Sequence, residues 1–283
     1  MNATDVSRAD LVRPDMTLQA GVVGHPIAHS LSPAIHGAWI SAAGLNARYD
    51  AFGPESPEAF EALLARGRAG ELRGLNVTAP YKEQAFGAAD VTSDAARLVA
   101  SANLLVFEDG RVRADSTDGL GLMHALAEQA PDLRVRGEAV VILGAGGAAR
   151  AAAGALAGAG AAVRIVNRSR ERAEKLAADV GPSVIVADQP EAFGEAVLVV
   201  NALSVRPDLD LTVLDEGTVV MDMTYRPLET PLLAAARARG LIGVDGLAML
   251  IGQARPSFEA IFGQTPPDID VRSLILARLG ETV

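Results

Sequence analysis

Lys82 sits just past a short apolar run, a threonine and a proline in "GLNVTAPYKEQA" (residues 74–85), and Asp118 stands in "STDG" (residues 116–119). A lysine beside an aspartate can pass a proton, or present a positive charge to an oxygen on which charge develops. Ser30 and Ser32 in "HSLSP", with Thr78, add three hydroxyls. Each can donate one hydrogen bond to a carboxylate, which only accepts. Asn103 comes from the segment that leads towards Asp118. Several of these residues directly follow apolar strand-like runs, and ligands of α/β sheets bind beyond the carboxyl ends of strands. Pro80 resists continued strand pairing and turns the chain so that Lys82 points into such a site. Each residue alone has an ordinary reading as a cap, a solvated lysine or a linker aspartate. Their joint placement favours a hydride-transfer enzyme because a dinucleotide motif follows.

That motif is "VVILGAGGAAR", with Gly144, Gly146 and Ala149 in a G-x-G-x-x-A pattern between an apolar strand and an alanine-rich helix. The first glycine permits the tight turn, the second lets backbone approach a pyrophosphate, and the small third residue lets helix and sheet pack closely. Gly147 and Ala148 open the helix, where free N–H groups and the helix dipole suit phosphates. The next strand runs into "IVNRSRERA". A site for NAD usually carries an acid at this tip, on the ribose 2′-hydroxyl. Here the tip offers Asn167, Arg168, Ser169 and Arg170, then Arg172. Arginine forks a phosphate in two-point fashion, so the expected cofactor is NADP. Arg170, beside Glu171, is the arginine expected to be merely solvated.

The totals exclude other chemistries. The 283 residues suggest one large or two ordinary domains, and 49% hydrophobic with 21% charged residues is a globular composition. The net charge of −10 repels phosphate backbones, so nucleic acid is not an expected partner. With no cysteine, disulfides and thiolate catalysis are out. The four histidines lack metal-ligand spacing, and no metal is expected. No apolar stretch approaches the roughly 20 residues a membrane helix needs, and the polar start lacks a signal-type apolar core. A cytoplasmic protein with a small-molecule substrate is expected.

The elements that position these residues alternate. "LQAGVVGHP", "ARYDAFG" and "LRGLNVTAP" read as strands, and "SPAIHGAWISAAG" and "SPEAFEALLARG" as helices with Ser32 and Ser56 as N-caps. "ANLLVFEDGRVRADSTDG" reads as a hairpin turning at Asp109-Gly110. "AVLVVNALS", "TVVMDMTY" and "ARGLIGVDG" read as further strands, and "TPLLAAARARG" as a helix capped by Thr230. The expected fold is α/β. A mostly parallel substrate domain spans residues 1–118 and a doubly wound nucleotide domain residues 119–246. A helical segment, residues 247–283, returns to pack on the first domain.

The chain resembles the shikimate dehydrogenase family, shikimate and quinate dehydrogenases included. The matching segments are "GHPIAHSLSP", "GLNVTAPYKEQA", "STDG", "GAGGAAR", "NRSRERA" and "DGLAMLIGQA", in the family's order over nearly the whole chain. The resemblance implies that Ser30, Ser32 and Thr78 bind a substrate carboxylate. Lys82, Asn103, Asp118 and Gln253 would surround ring hydroxyls, and Tyr225 would approach the same cleft. Lys82 and Asp118 would be the catalytic pair, and Asn167, Arg168, Ser169 and Arg172 the NADP clamp. The implied reaction is NADP-dependent reduction of 3-dehydroshikimate to shikimate by a monomer or homodimer. Serine at position 32 is the shikimate-like form, where a threonine would point to quinate. Five positions depart from the family's usual residues: Ala100 for glycine, Leu104 for threonine, Ser116 for asparagine, Leu203 for threonine and Ala248 for glycine. These leave open a paralogue acting on quinate, an amino-shikimate or another cyclic hydroxy acid. A non-catalytic NADP-binding regulator on the same fold would have lost Lys82 and Asp118.

Overall fold

The structure, a computed structural model, describes residues 17–279 apart from positions 204, 206 and 208. The first half builds β1 (Leu18–Val23), α1 (Ser32–Ala42), β2 (Ala47–Phe52), α2 (Pro57–Arg68), β3 (Gly74–Val77), α3 (Lys82–Gly87), β4 (Val91–Thr92), α4 (Asp94–Val99), β5 (Leu104–Glu108) and β6 (Arg111–Asp115). Their sheet runs β2-β1-β3-β5-β6-β4. β1 is parallel to both β2 and β3, while β5 is antiparallel to β3 and β6. The β5–β6 hairpin turns at Asp109-Gly110, with φ of 51° and 73°. Positive φ at both central residues matches the right-handed twist of paired strands.

The second half builds α5 (Asp118–Gln129), β7 (Ala139–Leu143), α6 (Gly147–Gly158), β8 (Ala162–Val166), α7 (Arg170–Val180), β9 (Val184–Val186), β10 (Ala196–Asn201), β11 (Val219–Asp222), α8 (Pro231–Ala238), β12 (Ile242–Asp245), α9 (Gly246–Phe262) and α10 (Val271–Leu279). Its sheet runs β12-β11-β10-β7-β8-β9, all parallel. The order reverses between β7 and β10, the crevice where such folds place a dinucleotide.

Local chemistry sets most helix starts. Ser56 and Thr230 accept from the amides of Ala59 and Leu233, as N-caps do. Ser32 does not cap α1: the helix begins one residue earlier than expected, with Leu31 at the cap position and no side-chain cap bond. Ser32 is already helical, its amide donates to Ser30 Oγ at 3.3 Å, and its hydroxyl is left for the cleft described below.

Two long helices join the halves. α9 turns Leu247, Leu250, Ile251, Ala254, Phe258 and Ile261 into the core around α1 and β1, and Ala248 and Met249 into the core of the second sheet. α5 lies against it at unusually close range. A Cβ on Gly121 would stand 2.6 Å from the Met249 carbonyl oxygen, and one on Gly252 2.8 Å from the His124 side chain. Asp245 locks the junction. It caps α9 through the Ala248 amide, accepts from Gln129 at the end of α5, and pairs with Arg272 of α10 at 2.6 Å. The tail of α5 and the head of α9 are thereby held together.

Ala100, where the family usually has glycine, ends α4 in the left-handed region with φ 47° and ψ 39°, and its side chain is exposed. An alanine there crowds its Cβ against the following carbonyl, at roughly 1–2 kcal/mol. Part of that is offset by the greater entropy glycine loses on folding. Ala100→Gly is therefore expected to stabilise the protein by about 0.5–1 kcal/mol in urea unfolding. A destabilised variant contradicts the conformational reading.

Candidate active site

A cleft of about 380 Å³ opens between the two sheets. It brings together eight residues expected from the sequence: Ser30, Ser32, Thr78, Lys82, Asn103, Asp118, Tyr225 and Gln253. Ser30 and Ser32 arrive on the connection from β1 and the start of α1, and Thr78 on the residue after β3. Asn103 immediately precedes β5, Tyr225 follows β11, and Gln253 lies on α9.

Lys82 and Asp118 occupy the first positions of α3 and α5. Lys82 Nζ lies 2.5 Å from Asp118 Oδ2, the lysine one-quarter exposed and the aspartate only 8%. Asn103 Nδ2 donates to Asp118 Oδ1 at 2.8 Å, and Asn103 Oδ1 accepts from the Thr117 amide at 2.8 Å. Both carboxylate oxygens are thus engaged, one by a cation and one by a fixed amide. The α5 N-terminus adds the positive end of its dipole. The lysine is held by one partner only among the described residues, and its remaining N–H bonds are available to a molecule in the cleft.

The sequence reading missed Asn76, Thr117, His36 and Arg226. Asn76 lines the cleft from β3 and is fully engaged. Its Oδ1 accepts from Tyr49 at 2.7 Å, and its Nδ2 donates to Ser257 Oγ at 2.8 Å and to the Asn103 carbonyl at 3.2 Å. Burial pushes the Tyr49 phenol well above its ordinary pKa, so it stays a donor. One polar residue among the apolar ones of "GLNV" was the available signal. Thr117, the fully buried neighbour of Asp118, ties Asn103 to the Gln253 carbonyl through Oγ1.

The glycine turn lies at the C-terminal end of β7. Gly144 has φ 118°, and α6 starts at Gly147 with Gly146 at its cap and no side-chain cap bond. The first-turn amides of α6 are therefore open, and a Cβ on Gly146 would meet nothing within 4 Å. At the β8 tip, Asn167 Nδ2 donates to the Ser169 carbonyl, and Ser169 Oγ accepts from the Arg172 amide. Arg168 and Arg172 are exposed, and neither forms an ion pair among the described residues. Arg170 instead pairs with Glu174 at 2.9 Å and Asp188 at 3.3 Å. Open amides, clear space and two exposed guanidinium groups at a tip without a carboxylate fit a dinucleotide carrying a 2′-phosphate.

Residues 22–105 match the family model for a shikimate dehydrogenase substrate binding domain, and residues 125–205 that for shikimate / quinate 5-dehydrogenase. A shikimate dehydrogenase (NADP(+)) of Caulobacter vibrioides is 51% identical over 273 residues, covering 92% of this chain and 95% of that protein. The chain belongs to the shikimate dehydrogenase family. Among solved structures, shikimate 5-dehydrogenase from Thermus thermophilus in complex with NADP(H) and shikimate is similar with a TM-score of 0.81 and 35% identity, covering 89% of this chain and 95% of that one. Quinate dehydrogenase from Corynebacterium glutamicum in complex with NAD has a TM-score of 0.84 at 28% identity, covering 92% and 99%.

None of the five departures from the family's usual residues lines the cleft. Leu104 and Ala248 are buried in the two cores, and Leu203 packs towards the Gly144 turn. The wall of the cleft does contain a feature with a pH consequence. His36 is 1% exposed, stacks on Tyr49 at 4.1 Å, and has an Nδ1 without a hydrogen-bond partner. Burial lowers its pKa from 6.5 to about 3. The folded value lies below the unfolded one, so the unfolded chain binds this proton more readily. The stability tied to a neutral His36 is full above pH 6.5 and is lost as pH falls towards 3. At pH 5 the loss is about 2 kcal/mol. His36→Phe keeps an aromatic ring and removes the titration. Urea unfolding between pH 7 and pH 5 should show that much less acid sensitivity in the variant, and parallel pH curves contradict it.

Proposed function

We propose that this chain catalyses the reversible, NADP-dependent reduction of 3-dehydroshikimate to shikimate. The observation that carries the reading is the Lys82–Asp118 pair, set in a cleft that also presents Ser30, Ser32 and Thr78 and lies beside an open dinucleotide turn. NADPH supplies the hydride. As the ketone carbon accepts it, the carbonyl oxygen becomes an alkoxide, a strong base that needs a proton or a cation as it forms. Lys82 Nζ delivers that proton, and Asp118 holds the ammonium in place with its other oxygen tethered by Asn103. Such acid help is worth roughly 10²–10⁴ in rate. The three hydroxyls take the ring carboxylate, while Asn103, Gln253 and Tyr225 read the ring hydroxyls. Asn167, Arg168, Ser169 and Arg172 clamp the 2′-phosphate, with Gly144, Gly146, Gly147 and Ala148 on the pyrophosphate. A monomer or homodimer is the assembly this reading carries. A cytoplasmic location is part of this proposal.

The test is a steady-state panel of shikimate and quinate, each with NADP and NAD. Hydrogen bonds to charged groups are worth about 1.5–3 kcal/mol, so NADP should be preferred by at least about tenfold. Shikimate should exceed quinate in kcat/KM by about tenfold or more, a difference of about 1.4 kcal/mol. Arg168→Ala should raise KM for NADP much more than for NAD. Equal kcat/KM with the two cofactors contradicts the clamp, and quinate matching shikimate favours the paralogue.

A further inference from the structure

The cleft poses an electrostatic problem. The protein carries a net charge of −10, yet the proposed substrate is an anion, and the three hydroxyls meant for its carboxylate are neutral. The charged and titratable side chains lining the cleft are His29, His36, Lys82, Asp118, Tyr225 and Arg226. Lys82 is compensated by Asp118 at 2.5 Å. His36 is held neutral by burial. Arg226 is different. It is exposed, and among the described residues it forms neither an ion pair nor a side-chain hydrogen bond. Glu229, the nearest acid in sequence, is taken by Arg237 at 2.5 Å.

The backbone that carries Arg226 is fixed. Asp222 Oδ1 accepts from Asn201 Nδ2 and from the Thr224 amide, each at 3.0 Å. A Cβ on Gly246 would stand 2.4 Å from the Met223 carbonyl oxygen, so the segment leaving β11 lies tightly on the start of α9. Arg226 is close enough to Tyr225 to offset part of the rise that burial causes in that phenol's pKa. The guanidinium therefore comes from the nucleotide-binding half, while Ser30, Ser32 and Thr78 come from the other half of the same cleft.

We propose that Arg226 is a specificity-determining residue, the uncompensated cation that draws a carboxylate-bearing substrate into the cleft. The inference rests on the shikimate reading above and adds the origin of its preference for an anion. A lone positive charge in a cleft with low-dielectric walls raises the local concentration of an anionic substrate and gives way to salt. Among the described residues Arg226 forms no hydrogen bond or ion pair with the Lys82–Asp118 pair, so its effect is expected on KM and not on kcat.

Shikimate and its methyl ester, which has the same ring and no charge, are the two probes. For the wild-type enzyme, kcat/KM on shikimate should fall about three- to tenfold between about 20 and 500 mM salt, and on the ester hardly at all. Arg226→Gln should raise KM for shikimate about fivefold at low salt, keep kcat, lose most of the salt dependence, and leave the ester and the KM for NADP unchanged. Arg226→Lys should retain the salt dependence. Equal losses on acid and ester would make Arg226 a packing residue. A rise confined to the KM for NADP would assign it to the cofactor. Undiminished salt dependence in Arg226→Gln would place the attraction elsewhere. Each of these overturns the proposal. A wild-type chain that does not turn over shikimate contradicts the functional reading instead. The charge effect is then read by calorimetric binding of shikimate to wild type and Arg226→Gln, where equal salt-dependent affinities overturn it.

Discussion

A carboxylate buried to 8% exposure must be compensated on every side, and the architecture around Asp118 follows from that requirement. Removing one partner of a buried pair leaves a charge that neither water nor protein satisfies. Asp118 meets the demand with a lysine on one oxygen, an asparagine on the other, and a helix N-terminus behind it. Each supplier belongs to a different element: Lys82 heads α3, Asn103 leads into β5, and Asp118 itself opens the helix that leaves the first sheet for the second. The close packing of α5 on α9, with glycines 121 and 252 at the contact, keeps that head from shifting and brings Gln253 to the same place.

The two halves of the molecule contribute different parts of one reaction. The first sheet brings hydroxyls, lysine and asparagine to a shared edge. The second brings a glycine turn with open amides, an arginine-bearing tip, and the Tyr225–Arg226 wall. Hydride transfer needs close approach of two bound molecules in a water-poor space. The cleft lies where the halves meet, so neither half alone completes it.

Much of this was legible in residue types. Ser56-Pro57 and Thr230-Pro231 announced helix starts because a hydroxyl before a proline at the first helical position can accept from a first-turn amide, and Asp109-Gly110 announced its hairpin because few other pairs accept positive φ twice. The same rule failed at Ser32, which carries the same Ser-Pro signal but whose side chain lines the cleft. A functional hydroxyl and a capping hydroxyl look alike in sequence. The short elements α3, α4, β4 and β9 were not read, being too brief for a periodic pattern. Six of the eight cleft residues were legible because strand ends concentrate ligands, whereas Tyr225 and Gln253, the latter inside α9, came from the family resemblance alone. Asn76, Thr117 and His36 were not, because each acts through a partner distant in sequence: Tyr49 and Ser257, Gln253, and Tyr49 again.

The central claim is that Lys82 and Asp118 act as one proton-delivering unit. A double-mutant cycle on kcat tests it most directly, using wild type, Lys82→Ala, Asp118→Asn and the double variant, each checked for folding by urea unfolding. Each single change should lower kcat by roughly 10²–10⁴, with little change in KM. The double variant should be scarcely slower than the worse single one, because a unit already broken has little left to lose. Losses that multiply, or a Lys82→Ala enzyme with near-normal kcat, would contradict the account and move the acid role to another group.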